Sequence, residues 1–179
     1  AFLRSMASDW EAWEKIYGVS HDHANLTSER NILRYRPTPV QVRVSRFVPM
    51  SDALRVVAAG LRVGGRVSLS IAEPLPDQLV AKLLDGFGSF VALGDYEVES
   101  ESDFVARFTD EPPSRIRLLG SRGDALEVAL DGAPEVAIFS NEVTESGRVE
   151  LLPFLVEQSI SLTVHRFGAV DSLFQNLEL

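Results

Sequence analysis

PVQVRVSRFVPMSDALRVVAAGLRVGGRVSLSIAEP, Pro39 to Pro74, decides the fold. Val40, Val42 and Val44 alternate with Gln41, Arg43 and Ser45, the period of a β-strand. Ser51 can cap a helix in which Leu54, Val57, Ala58 and Leu61 fall at i, i+3, i+4 and i+7, an apolar face. Gly64 and Gly65 end that helix, and Val67, Leu69 and Ile71 start a second strand. Strand, helix and strand at this spacing imply a right-handed crossover between parallel neighbours.

The pattern repeats toward the C-terminus. Pro76 suits a first helical turn, Leu79, Val80, Leu83 and Leu84 supply its buried face, and Gly86 closes it. A strand is expected within Phe90 to Val98, then a short helix from Ser100 and Asp103 carrying Phe104, Val105 and Phe108. Pro112 and Pro113 break it. Ile116 to Leu119 reads as a strand, and Ser121 with Asp124 as the start of a helix through Leu126 and Ala129. Val136 to Phe139 is apolar throughout, as in a strand buried on both faces. The expected body is an α/β, Rossmann-like, doubly wound parallel sheet.

Two segments fall outside that body. In EQSISLTVHRFG, Glu157 to Gly168, Ile160, Leu162 and Val164 alternate with Ser159, Ser161, Thr163 and His165. This late strand needs a partner, and Asn31 to Arg36 offers one, with Leu33 and Tyr35 on one face and Ile32, Arg34 and Arg36 on the other. Together they form a projecting β-flap, the part expected to meet a partner. At the N-terminus, residues 2–17 read as an amphipathic helix with Met6, Trp10, Trp13 and Tyr17 on one stripe, stopped by Gly18. The stripe packs either on its own core or on a neighbouring domain. The expected division is residues 1–27 for helix and linker, 28–148 for the body with the first flap strand at 31–36, and 149–179 for the second flap strand and tail.

Composition limits the function. The 179 residues are 45% hydrophobic, enough for a core, and carry a net charge of −9, which repels nucleic acid. Arg34, Arg36, Arg43 and Arg46 are a small basic cluster, read as solvated strand faces and ion pairs to the many acids. No apolar run approaches the roughly 20 residues of a membrane span. Trp10, Glu11 and Glu14 interrupt any signal peptide, so a cytoplasmic protein is expected. The start at Ala1 suggests a segment of a longer chain.

Candidate chemistry is sparse. Cysteine is absent, which removes disulfides, thiolate metal sites and a cysteine nucleophile. His21, Asp22 and His23 give an H-x-H pair without a third ligand at a metal-binding spacing, and read as a surface loop. The first strand-to-helix turn, Phe47 to Met50, has no glycine for a pyrophosphate; Gly64-Gly65 and Gly86-Phe87-Gly88 follow helices instead. Ser161 and His165 are too far apart on one strand face to bond. Glu97 with Glu99 reads as a solvated face, and Glu101 with Asp103 as a helix start.

SERNILRYRP (Ser28 to Pro37), GRVELLPFLVEQSISLTVHRFG (Gly147 to Gly168) and DWEAWEKIYGV (Asp9 to Val19) resemble the C-terminal part of proline utilization A enzymes. The resemblance implies a parent with an FAD-dependent proline dehydrogenase and an NAD-dependent glutamate-semialdehyde dehydrogenase of the aldehyde dehydrogenase superfamily. It implies that this piece is a degenerate, non-catalytic copy of an aldehyde dehydrogenase nucleotide domain with its oligomerisation flap. The flap would pack on the dehydrogenase module and help close the tunnel that carries the intermediate. By that alignment Phe47 stands where an oxyanion-binding asparagine belongs and Ser70 where a ribose-binding lysine belongs. No catalytic, cofactor-binding or metal-binding residue is then expected in the segment. The expected contact residues are Leu33, Tyr35, Ile160, Leu162, His165, Arg166 and Phe167, with a homodimer possible for the excised piece. The rival readings are an NAD-binding aldehyde dehydrogenase-type domain and a small-molecule-binding regulatory module.

Overall fold

The computed structural model describes residues 2–73, 93–110, 112–163, 165–166 and 169–170. Five parallel strands form the body: β2 (Val40–Val44), β3 (Val67–Ala72), β4 (Leu93–Glu99), β5 (Arg115–Leu119) and β6 (Ala137–Phe139). Their order is β4-β3-β2-β5-β6. The chain winds outward from β2 to β4, then returns to the other side of β2 for β5. This is the doubly wound arrangement expected from the alternating apolar patterns.

One apolar core lies under α2 (Met50–Arg62) and joins Val42, Leu69, Val56, Val57 and Phe154. The other lies under α3 (Glu101–Asp110) and α4 (Asp124–Ala129) and joins Phe104, Phe108, Ile116, Leu118 and Leu126. α1 (Phe2–Ala12) and the single turn α5 (Gly147–Glu150) pack beside α2. The expected helix from Pro76 to Gly86, and Gly88 after it, lie outside the described residues.

Several local expectations shift. α2 begins at Met50 with Pro49 as its cap, and the Ser51 hydroxyl bonds Asp52 instead. Its buried residues include Ala53, Val56, Val57 and Gly60 rather than a stripe through Leu54 and Leu61. Gly60 explains the rotation: a Cβ there would lie 2.5 Å from Val67 and 2.7 Å from the Phe154 ring. The helix rests on its smallest residue so that strand and ring can come close. α4 starts after Gly123, in the left-handed region at φ +84, whose N–H reaches Ser121 Oγ at 3.1 Å. β6 is the outer strand of the sheet among the described residues, half-buried rather than enclosed on both faces. The α3 start is as expected, with Asp103 N–H donating to Ser100 Oγ at 3.1 Å.

α1 departs most from its pattern. Its buried residues are Ser5, Asp9 and Ala12, while Met6 and Trp10 face outward. The helix then widens into a π-turn, Trp13–Tyr17, closed by Gly18 N–H on Trp13 O at 2.7 Å. The reason is ionic. Asp9 meets Arg55 of α2 through two bonds of 2.7 Å, and both side chains are buried.

Candidate interface: the flap and its root

β1 (Glu29–Pro37) and β7 (Leu155–Thr163) form a separate antiparallel ribbon outside the body sheet. Its register pairs Ile32 with Ile160, Arg30 with Leu162, Leu33 with Ser159 and Tyr35 with Glu157. Directly opposed residues share a face. Ile32, Ile160 and Leu162 therefore lie on one side, and Leu33 and Tyr35 on the other. Of the expected contact residues on the ribbon, Leu33 and Tyr35 thus lie on the side opposite Ile160 and Leu162.

Each face has its own setting. Ile32 is buried, and Ile160 and Leu162 are half-buried. On the opposite face Tyr35 meets Tyr17 edge to face, ring centroids 4.8 Å apart, and packs on the body core. The Tyr17 hydroxyl donates to Arg148 O at 2.6 Å. Burial pushes both tyrosine pKa values up, and Glu157 beside Tyr35 pushes the same way. Leu33 exchanges both backbone bonds with His21, at 2.8 and 2.9 Å.

That last contact gives the HDHAN loop a role the sequence did not disclose. His21 also bonds Ile16 O at 3.0 Å, and Asp22 accepts from the N–H groups of Asn25 and Asn31. The loop ties the π-turn to the flap strand. Among the described residues no group of three metal-ligating side chains exists. His165 and Arg166 are not part of the long strand. They form β8 (His165–Arg166), which pairs antiparallel with β9 (Ala169–Val170). Phe167 lies outside the described residues. Ser161 points to the flap's own partner strand, 2.9 Å from Glu29 Oε1 and 2.5 Å from Asn31 Oδ1.

A second concavity lies beyond the carboxyl ends of β2, β5 and β6, about 720 Å³ in volume. This is the switch point between β2 and β5, where open α/β sheets bind ligands. Loops 45–49, 120–122 and 140–143 line it. Gly120, at φ +74, lets its loop approach Val48, where a Cβ would lie 2.7 Å away. Phe47 is 88% exposed at the mouth, with the Arg46 guanidinium 5.4 Å from its ring centroid.

The charged interior was not legible as such. Arg43 is fully buried, donating to Ser70 Oγ at 2.7 Å and to Glu101 Oε2 at 3.1 Å. Ser70 in turn bonds Glu99, which Arg107 also holds. Ser70 and Glu99 are thus enclosed parts of an ionic cluster, and Glu99 is not on a solvated face. Arg34 is half-buried and bonds Gln158 at 2.7 Å; Arg36 and Arg46 are exposed. On the opposite side of the sheet Arg117 and Glu150 form a fully buried pair at 2.9 Å. Arg117 also reaches Asn141 O at 2.7 Å, and Glu150 accepts from Thr144 N–H at 2.9 Å. Arg55 reaches the same loop at Thr144 O, 3.1 Å away. These bonds hold the loop that forms one wall of the cleft.

No family model matches the chain, and no curated protein matches it. Among solved structures, Proline Utilization A (PutA) from Corynebacterium freiburgense is similar, with a TM-score of 0.63 and 25% sequence identity. The match covers 94% of this chain and 14% of that one. The chain therefore resembles a domain-sized portion of a much longer protein. No helix among the described residues is long and apolar enough to cross a membrane.

Proposed function

We propose that this chain is a non-catalytic covering domain of a larger proline-catabolic enzyme. The observation that carries the reading is the β1–β7 ribbon, which stands outside the body sheet of a chain that resembles PutA over 94% of its length. A two-stranded ribbon is marginal alone in water. Here Tyr35 on Tyr17 anchors one face to the body, and the backbone bridge between Leu33 and His21 ties down the edge of β1. The ribbon is held out where a neighbouring module can meet it, and the neighbour is the aldehyde dehydrogenase module of the same parent. The division at residues 27/28 and 148/149 belongs to this reading.

The chemistry of the chain supports a structural role. The sequence has no cysteine to act as an aldehyde dehydrogenase nucleophile. Ser70, at the position aligned with a ribose-binding lysine, is enclosed with Arg43 and Glu99. FAD and NAD belong to the parent's other modules. Covering a tunnel would keep a hydrolysable intermediate from bulk water, as active-site lids do.

The test deletes this region from the parent enzyme. Each half-reaction and the coupled conversion of proline to glutamate are then measured. A lag in product, or leaked intermediate, with both half-reactions intact is the expected result. Coupled kinetics equal to those of the intact enzyme would refute the covering role. The switch-point cleft favours a second reading, a small-molecule or NAD site. Calorimetry with NAD decides it: micromolar binding would replace the covering role with a cofactor-binding one.

A further inference from the structure

The outer edge of β1 is closed in steps and then left open. Asn31 N–H goes to Asp22 Oδ2 at 3.3 Å, and Leu33 exchanges both backbone bonds with His21. Backbone groups alternate between the two edges of a strand in an antiparallel pair. Tyr35 N–H and C=O therefore point to the same edge as those of Leu33. The facing chain, residues 18–20, makes no backbone bond with them among the described residues. A hollow of about 270 Å³ lies between the two.

The walls of that hollow are specific. Trp13, Tyr17, Tyr35 and Val63 give it an apolar lining. Arg36 also lines it, exposed and without an ion pair among the described residues, whereas Arg34 is partly spent on Gln158. The Trp13 indole nitrogen lies against Gly18, 2.9 Å from where a Cβ would stand, and makes no hydrogen bond among the described residues. Guanidinium and indole groups only donate. No acidic side chain lines the hollow, in a chain with 26 acidic and 17 basic side chains. Glu157 holds the Tyr35 hydroxyl at 3.3 Å, at the far end of that side chain from the open backbone edge. One wall is the π-turn Trp13–Tyr17, a rare geometry found frequently at functional sites.

We infer that this hollow binds a small apolar carboxylate. The carboxylate takes the N–H groups of Tyr35 and the Trp13 indole together with Arg36, and the apolar body lies on the aromatic wall. At about 270 Å³ the space is smaller than the roughly 300–1,000 Å³ of drug-sized sites, which keeps the ligand small. The site is independent of the covering role, since it needs no neighbouring module.

Titration of the whole isotope-labelled chain with sodium phenylacetate, followed by NMR, tests it. The Trp13 indole and Tyr35 amide resonances are expected to shift saturably with a Kd of about 1 mM or below, while the Trp10 indole does not move. Phenylethanol, which lacks the charge, and phenethylamine, which reverses it, bind at least about fivefold more weakly. Arg36→Gln, at an exposed side chain, weakens phenylacetate by about threefold. Trp13→Phe keeps a ring but loses the N–H, and weakens it by about fivefold, read at the Tyr35 amide. Arg122→Gln, in the switch-point cleft, leaves binding unchanged. No saturable shift up to about 20 mM would overturn the proposal. So would equal binding of the alcohol or the amine, indifference to Arg36→Gln and Trp13→Phe, or loss of binding in Arg122→Gln.

Discussion

Severing the Asp9–Arg55 pair should cost unequal amounts depending on which partner is removed. Two 2.7 Å bonds join the carboxylate and guanidinium, with 3% and 6% of the side chains exposed. Breaking such a pair leaves a charge in low dielectric, at a cost of about 3–5 kcal/mol. For Asp9→Leu the stranded group is Arg55, which cannot shed its proton. The full penalty applies at every pH, against a total stability of about 5–15 kcal/mol. It corresponds to a loss of about 6–20 °C in Tm. For Arg55→Leu the stranded group is a carboxyl that can take up a proton. Burial already raises the Asp9 pKa, the effect of Arg55 in lowering it being the smaller. A raised carboxyl pKa gives stability that is fully present below the unfolded value and is lost as pH rises through the folded value. Arg55→Leu therefore costs several kcal/mol at pH 7.5 and markedly less at pH 5. The double variant recovers most of the loss, short of the Arg55 bond to Thr144 O. Urea denaturation followed by tryptophan fluorescence suits the purpose, since Trp10 lies on α1 and Trp13 on the adjoining π-turn. Equal penalties for Arg55→Leu at the two pH values, or a cost below about 1 kcal/mol for Asp9→Leu, would refute the reasoning.

Glu150→Leu strands buried Arg117 and should cost about 3–5 kcal/mol in urea unfolding, with faster amide exchange at Thr144. Gly147→Ala drives a methyl group into the backbone of Ser8 and Asp9; a loss of about 1–3 kcal/mol is expected, with α1 the first element to lose protection. Tyr35→Leu removes the edge-to-face ring contact with Tyr17, about 0.5–1.5 kcal/mol, and limited proteolysis should then cut the ribbon sooner. Phe47→Ser should leave stability within about 0.5 kcal/mol, because the ring is almost wholly in solvent.

The body was legible because its strands and helices keep the periods of 2 and 3.6 through Val40–Val44, Val67–Ala72 and the α2 region. The ribbon was legible because Ile160 and Leu162 alternate with serines late in the chain. The relative phase of its strands was not read. Leu33 and Tyr35, expected contacts together with Ile160 and Leu162, lie on the opposite side of the ribbon from them. α1 was inverted for a different reason. Pattern reading sends charges to solvent and aromatics inward, whereas Asp9 and Arg55 are both buried. Each is buried by a partner distant in sequence, which no local window contains. The burial of Arg43, Arg117 and Glu150 has the same origin.

The ribbon joins segments on either side of the body sheet: at its base, Pro37 opposes Leu155, 118 positions away. Closing so long a loop is entropically costly until the intervening chain is compact, whereas parallel neighbours such as β2 and β3 meet across a single crossover. The ribbon should consequently zip last in refolding, after the five-stranded body has consolidated. A partner that recognises it would then discriminate mature copies from unfinished ones without a separate chaperone step.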